Sequence, residues 1–149
     1  HYSMETFALR LNPGEDLKMS LVEFTQQHQI QAGFVITTVG SLQQAAIRFA
    51  AQPISQILPG RFEIVSLVGT LSPHGAHLHI ALSDDRGATI GGHVDRGCII
   101  YTTAEIVIGQ SRVYQFSRSL DEQTGYQELQ IQKINSNPQN QELDASQYN

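Results

Sequence analysis

The sequence predicts an α+β fold: a compact, mostly antiparallel β-sheet of about eight strands with one main helix packed on it. Three observations predict it. Only one stretch carries convincing helical periodicity, with Leu17, Leu21 and Phe24 recurring at that spacing and Val22 beside them. The other apolar runs are short, or alternate, and favour Val, Ile, Thr and Tyr, the residues that suit a pleated surface. The gaps between runs after Gly60 are too short for the dozen-residue crossovers that parallel strands need.

The elements follow in order. Thr6–Leu11 alternates and reads as the first strand. Asn12-Pro13-Gly14-Glu15-Asp16 is a turn, and Asn12 or Asp16 can cap the helix that runs from Leu17 to about His28. Phe34–Val39 is near-continuously apolar, ends at Gly40-Ser41-Leu42, and is expected as a central strand covered on both faces. Ala45–Phe49 reads as a separate short strand. Ala50–Leu58 reads as a loop closed by Pro59-Gly60.

Arg61–Leu71 is a clear strand, with Phe62, Ile64, Ser66 and Val68 on one face and Glu63, Val65 and Leu67 on the other. His77–Ser83 and Ala88–Val94 form a pair across the turn Asp84-Asp85-Arg86-Gly87. Cys98–Ile108 is a long strand after the turn Asp95-Arg96-Gly97. Val113–Phe116 and Gln127–Ile131 complete the set around Asp121–Gly125. One domain is expected over residues 5–134, and the Asn-, Gln- and Ser-rich residues 135–149 are expected to be a disordered polar tail.

The chain of 149 residues is long enough to bury one core. Its net charge is −5, and its nine Lys and Arg are scattered along the sequence without a run. Phosphate backbones and anionic membrane surfaces are recognised by clustered basic residues, so direct nucleic-acid or membrane binding is disfavoured. No apolar run reaches the length of a membrane span, and no signal peptide is seen. The single cysteine, Cys98, excludes an internal disulfide and fits a reducing, cytoplasmic compartment. His1-Tyr2-Ser3 precedes Met4 and reads as a tag remnant, so His1 is left out of the metal set.

His77, His79 and His93 carry the chemistry. Side chains at i and i+2 of a strand share a face, roughly 6.6 Å apart along the backbone. His77 and His79 therefore aim imidazoles at one point, and the turn at Asp84–Gly87 can bring His93 to join them. A lone strand histidine is usually a half-buried hydrogen-bonding residue; the metal reading rests on all three meeting. Three neutral imidazoles and a water make an open site for zinc or a similar divalent ion, with nitrogens about 2.0–2.1 Å from it. His74 follows Pro73 and reads as a rim residue.

Four other positions are candidates near the site. Gly91 and Gly92 sit in a strand-like run, where they make room for a pocket or a subunit contact, or else form a bulge. Glu105 lies in the apolar run Ala104–Ile108; it is expected either to orient a histidine or carry a proton, or to point to solvent. Arg118, like Arg61, can receive a carboxylate ligand or pair structurally. Cys98 reads as a small buried hydrophobe. Ser41 and Ser66 lack the G-x-S-x-G elbow of a hydrolase.

Four blocks together resemble a known family: Gly60-Arg61-Phe62-Glu63-Ile64-Val65-Ser66-Leu67-Val68-Gly69, His77-Leu78-His79, Gly91-Gly92-His93-Val94, and Thr102-Thr103-Ala104-Glu105-Ile106-Val107-Ile108. Pro13–Leu17 and Phe116-Ser117-Arg118 add to them. The chain resembles the plant and prokaryote conserved domain, PPC or PCC, also called domain of unknown function 296, over about Phe7–Ile134. The resemblance implies a homotrimer of α+β subunits and a fold related to acetolactate decarboxylase, in which histidines of neighbouring strands hold zinc. His77, His79 and His93 match the family's histidine positions. The family has no settled reaction, and this chain lacks the Arg-Gly-Arg-Pro core of the AT hook that precedes the domain in plants.

The expectation is thus a trimeric metal-binding domain with a regulatory or structural role. A metal-dependent lyase or hydrolase acting on a small organic acid is the first alternative, and a DNA-associated protein the second. Strands Arg61–Leu71 and Cys98–Ile108 are apolar on both faces, more than one helix can cover, and closed assembly is the usual cover. Ile99, Val107 and Val113 are candidate contact positions.

Overall fold

The chain runs β1 (Met4–Leu11), α1 (Leu17–Gln27), β2 (Gly33–Arg48), β3 (Gln56–Ser72), β4 (Gly75–Ser83), β5 (Thr89–Val94), β6 (Ile99–Ser111), β7 (Tyr114–Leu120) and β8 (Gln127–Lys133). The computed structural model describes residues 4–134, so the expected polar tail lies outside the described residues. Six strands form one sheet in the order β1-β6-β2-β3-β4-β5, and β7-β8 form a hairpin. Every pairing is antiparallel. The end of β2 also pairs with β5, so β2 to β5 close on themselves. The predicted α+β class and its one helix are present, and the nine strand runs read from the sequence become eight strands.

Local chemistry sets the helix. Asp16 caps it, its Oδ1 accepting the Met19 N–H at 2.9 Å. Leu17 and Leu21, one turn apart, are fully buried, each worth about 1.5–3 kcal/mol. Thr25 on the same face satisfies its hydroxyl on the Leu21 carbonyl at 2.7 Å. Beneath the helix lie Leu71 and Leu78, and the core continues through Ile80, Leu82, Val94, Ile100 and Ile106.

Four details differ from the sequence reading. Phe34–Val39 and Ala45–Phe49 are not separate strands: β2 is continuous, and irregular register at Gly40, Leu42 and Gln44 lets it bend without breaking. β3 begins at Gln56 and runs through Pro59-Gly60, which do not close a loop. Pro59 is tolerated because β4 pairs with β3 only from Glu63 on, leaving one edge open there.

The third difference is a phase change. The β3–β4 register slips between Ile64 and Ser66, so Phe62 and Ile64 are buried but the next buried residue is Leu67. Val65, Ser66 and Val68 are exposed, and the strict alternation expected for Arg61–Leu71 fails at the bulge. Fourth, β2 is not covered on both faces: Ile36 and Val39 are 45% and 59% exposed.

Gly91 and Gly92 neither bulge nor line open space, since the β4–β5 register runs unbroken through them. A Cβ on Gly92 would stand 2.5 Å from Ile47 Cγ2 and 2.7 Å from the Arg48 carbonyl oxygen; one on Gly91 would strike the Ile80 carbonyl oxygen. The pair is needed so that β5 can lie close against both β4 and β2. Gly92→Val should therefore cost about 1–3 kcal/mol through forced backbone movement. Urea unfolding followed by far-ultraviolet circular dichroism checks this; an unchanged midpoint would contradict it.

Candidate metal centre

The two histidine strands expose one face and bury the other. Along β4, Leu78, Ile80 and Leu82 point into the core, which turns His77 and His79 outward. On β5, Val94 is buried and His93 points the opposite way. Register completes the set: His79 and His93 are direct partners across β4 and β5. Directly opposed residues share a face, so the three imidazoles meet.

Their ring centroids form a near-equilateral triangle: 5.0 Å between His77 and His79, 5.2 Å between His77 and His93, and 5.7 Å between His79 and His93. One ring nitrogen from each lies within 4.8 Å of the others. Tetrahedral zinc sets its nitrogens roughly 3.3 Å apart. Small side-chain rotations cover that difference. His93 Nδ1 is buried and has no hydrogen-bond partner among the described residues. A buried imidazole nitrogen left unpaired carries a desolvation cost that a bound ion removes. The donor set therefore fits a divalent metal of the zinc type.

The electrostatics favour the neutral form of two of these rings, His93 and His77. Burial, then the positive charge of Arg48, pushes the His93 pKa down to about 4. His77 is lowered in the same direction by burial, by its neighbour His79 and by Arg118. A neutral imidazole keeps the lone pair that a metal requires.

The other sequence candidates divide. Arg118 is at the site: its Nη2 donates to Thr70 Oγ1 at 3.0 Å, and Thr70 is the register partner of His77. Glu105 is not. It is exposed on β6 as the register partner of Arg10, and its carboxylate accepts from Thr103 Oγ1 at 3.3 Å. The solvent-facing alternative holds, because the alternation of β6 buries Ala104 and Ile106 and turns Glu105 outward. Gly91 and Gly92 act through strand packing rather than pocket room. Arg61 stacks over Tyr101, 4.6 Å from its ring centroid. Cys98 is buried, exchanging hydrogen bonds with the Ala46 backbone, and burial raises its thiol pKa.

Beside the centre opens a cleft of about 830 Å³ that reaches His77, His93 and the rim residue His74. Lys18 of α1, Arg48 of β2 and Arg96 of the β5–β6 turn line it with Arg118. Sequence reading missed the first three as a group, since they are scattered along the chain and only the closure of β2 on β5 gathers them.

The family model of the Plants and Prokaryotes Conserved (PCC) domain matches residues 2–112. The chain belongs to that family. The β7–β8 hairpin, with Arg118, follows the matched segment of the PCC domain.

The chain is 52% identical over 132 residues to a protein of Synechococcus sp. (strain JA-3-3Ab) named bifunctional protein GlmU. The match takes in 89% of this chain but 21% of that protein, so the chain spans about a fifth of its length. An AT-hook motif nuclear-localized protein of Arabidopsis thaliana is 31% identical over 98 residues, 62% of this chain and 34% of its own.

Among solved structures, a hypothetical protein of Salmonella superposes with a TM-score of 0.85 at 42% identity, covering 88% of this chain and 95% of that one. A protein of Archaeoglobus fulgidus described as metal-containing gives 0.74 at 28%, covering 85% and 93%.

The lowered imidazole pKa values set a pH dependence. Unfolding returns His77 and His93 to their ordinary value of 6.5, so the unfolded chain binds more protons between that pH and about 4. Stability of metal-free protein is full above that window and falls as pH drops through it. Thermal unfolding from pH 7.5 to pH 4 should show a decline that His93→Gln reduces; an equal decline in the variant would contradict this source.

Proposed function

We propose that this PCC domain is a metal-binding module in which His77, His79 and His93 hold a divalent ion, zinc first, in a homotrimer with a regulatory or structural role. The observation that carries the reading is the unpaired, buried Nδ1 of His93 within a cluster of three converging imidazoles. The Archaeoglobus protein described as metal-containing supports it. Three protein ligands leave a fourth position open, and zinc held this way supplies Lewis acidity there.

Assembly has its own support. Ile36, Val39, Val65 and Val68 are all exposed on β2 and β3. They make a stronger contact surface than Ile99, Val107 and Val113, which are each partly buried. Val68 is the register partner of His79, so this apolar face begins at the centre itself. A face of that kind calls for a partner subunit.

A second reading, a metal-dependent lyase or hydrolase acting on a small organic acid, is favoured by the cleft that reaches His77 and His93. The DNA reading has less behind it. It draws on the Arabidopsis relative's name, whereas this chain has a net charge of −5 and no Arg-Gly-Arg-Pro core. The match to a fifth of a longer protein supports a module working beside other domains. Among the described residues no helix is long and apolar enough to cross a membrane, and the lone, buried Cys98 suits a reducing, cytoplasmic setting.

Elemental analysis of protein purified without added metal, or loaded afterwards with zinc, should give about one ion per chain. His93→Ala and His77→Ala should each lose most of it. Light scattering should give three times the chain mass, and Val68→Glu should dissociate the particle. Wild-type protein that takes up no zinc, or remains monomeric at micromolar concentration, would contradict the corresponding half of the reading.

A further inference from the structure

Four of the chain's nine basic residues, Lys18, Arg48, Arg96 and Arg118, line the one cleft beside the histidines. A single acid, Glu128, lines it with them. The cleft walls therefore carry a surplus of positive charge in a chain whose net charge is −5. Such crowding is unfavourable unless something negative offsets it, and concave walls focus the field further.

Among the described residues none of the four forms an ion pair. The ion pair found among the described residues is Arg112 with Glu5, away from the cleft. Arg48 makes one long hydrogen bond, from Nη1 to the Gln52 carbonyl at 3.5 Å. Arg118 uses Nη2 on Thr70 and Nη1 on the Gln127 carbonyl. A guanidinium has five N–H donors in a planar fork, so both arginines keep donors free.

Register places the two arginines at the two ends of the cluster. Arg48 is the direct partner of His93 across β2 and β5. Arg118 is bonded to Thr70, the partner of His77 across β3 and β4. Of the three clustered histidines, these same two, His77 and His93, reach the cleft.

We propose that this cleft binds a small organic oxyanion, carrying carboxylate or phosphate groups, between Arg48 and Arg118, with Lys18 and Arg96 completing its surroundings. A volume of about 830 Å³ accommodates a metabolite-sized molecule, within the range of roughly 300–1,000 Å³ usual for small-ligand sites. This deepens the metal reading by naming the ligand class, but the arginine clamp acts without a metal, so the two can fail separately.

The test uses chelator-treated and dialysed full chain, with calorimetric titrations of citrate and of inorganic phosphate against sodium chloride at matched ionic strength. Citrate tests the carboxylate source and phosphate the other. At least one should bind saturably, where chloride gives dilution heat only. Arg48→Gln should weaken binding about ten- to a hundredfold, the loss of a charge-assisted hydrogen-bond pair. Arg118→Gln should do the same. Since Arg118 also anchors β7 to Thr70, Arg96→Gln with Lys18→Gln serves as a second variant that leaves those bonds intact. Arg112→Gln, outside the cleft, should bind as wild type.

Zinc titration of the Arg48→Gln protein should still reach about one ion per chain, since the three histidines remain. Anion binding without zinc uptake supports the clamp and overturns the metal centre. Zinc uptake with no saturable binding of either anion overturns the clamp alone. Binding that survives in all three cleft variants, or a tighter complex with short duplex DNA that citrate does not displace, also overturns it.

Discussion

The pairing of His79 with His93 across β4 and β5 is the constraint on which the rest of the molecule depends. A strand has a side-chain period of two, so a slip of one residue would carry His93 into the core and Val94 out of it. The core holds the register. Leu78, Ile80 and Leu82 on one strand and Val94 on the other must face inward, and that fixes the histidines outward. Gly91 and Gly92 let the β5 backbone lie against Ile80 and Arg48 closely enough to keep the pairing. Apolar burial on one face thereby positions polar chemistry on the other.

Closure of the sheet does the same for charge. Because β2 pairs with β5 at its end, Arg48 stands opposite His93. The bond from Arg118 to Thr70 brings the β7–β8 hairpin to His77. Partial burial and the positive charge beside His77 and His93 act in one direction, favouring the neutral form of these two rings. The same positive charge that disfavours a protonated histidine favours an arriving anion. The two features are one electrostatic arrangement seen from two ligands.

Much of this was legible in the sequence, and for physical reasons. The helix announced itself through Leu17 and Leu21 and the cap at Asp16. The histidine strands announced themselves through alternation and the Asp84–Gly87 turn. What escaped was non-local. The bulge at Val65 reversed the faces of β3, because a bulge adds a residue without a compositional mark.

β2 looked like two strands because Gly40-Ser41-Leu42 resembles a break, and only its neighbours show that pairing continues through it. Glu105 drew attention as an acid among apolar residues, yet alternation alone exposes it. The cationic cleft was invisible, since Lys18, Arg48, Arg96 and Arg118 span a hundred positions of sequence. Their dispersion along the chain argues against a nucleic-acid or membrane surface, and says nothing of a small cleft.

The central claim is that three imidazoles share one ion. X-ray absorption at the zinc edge of loaded protein tests it most directly. The account predicts a nitrogen and oxygen shell at about 2.0–2.1 Å, with the outer scattering of about three imidazole rings. A sulfur shell, which would implicate Cys98, or a shell with one imidazole or none, would contradict it.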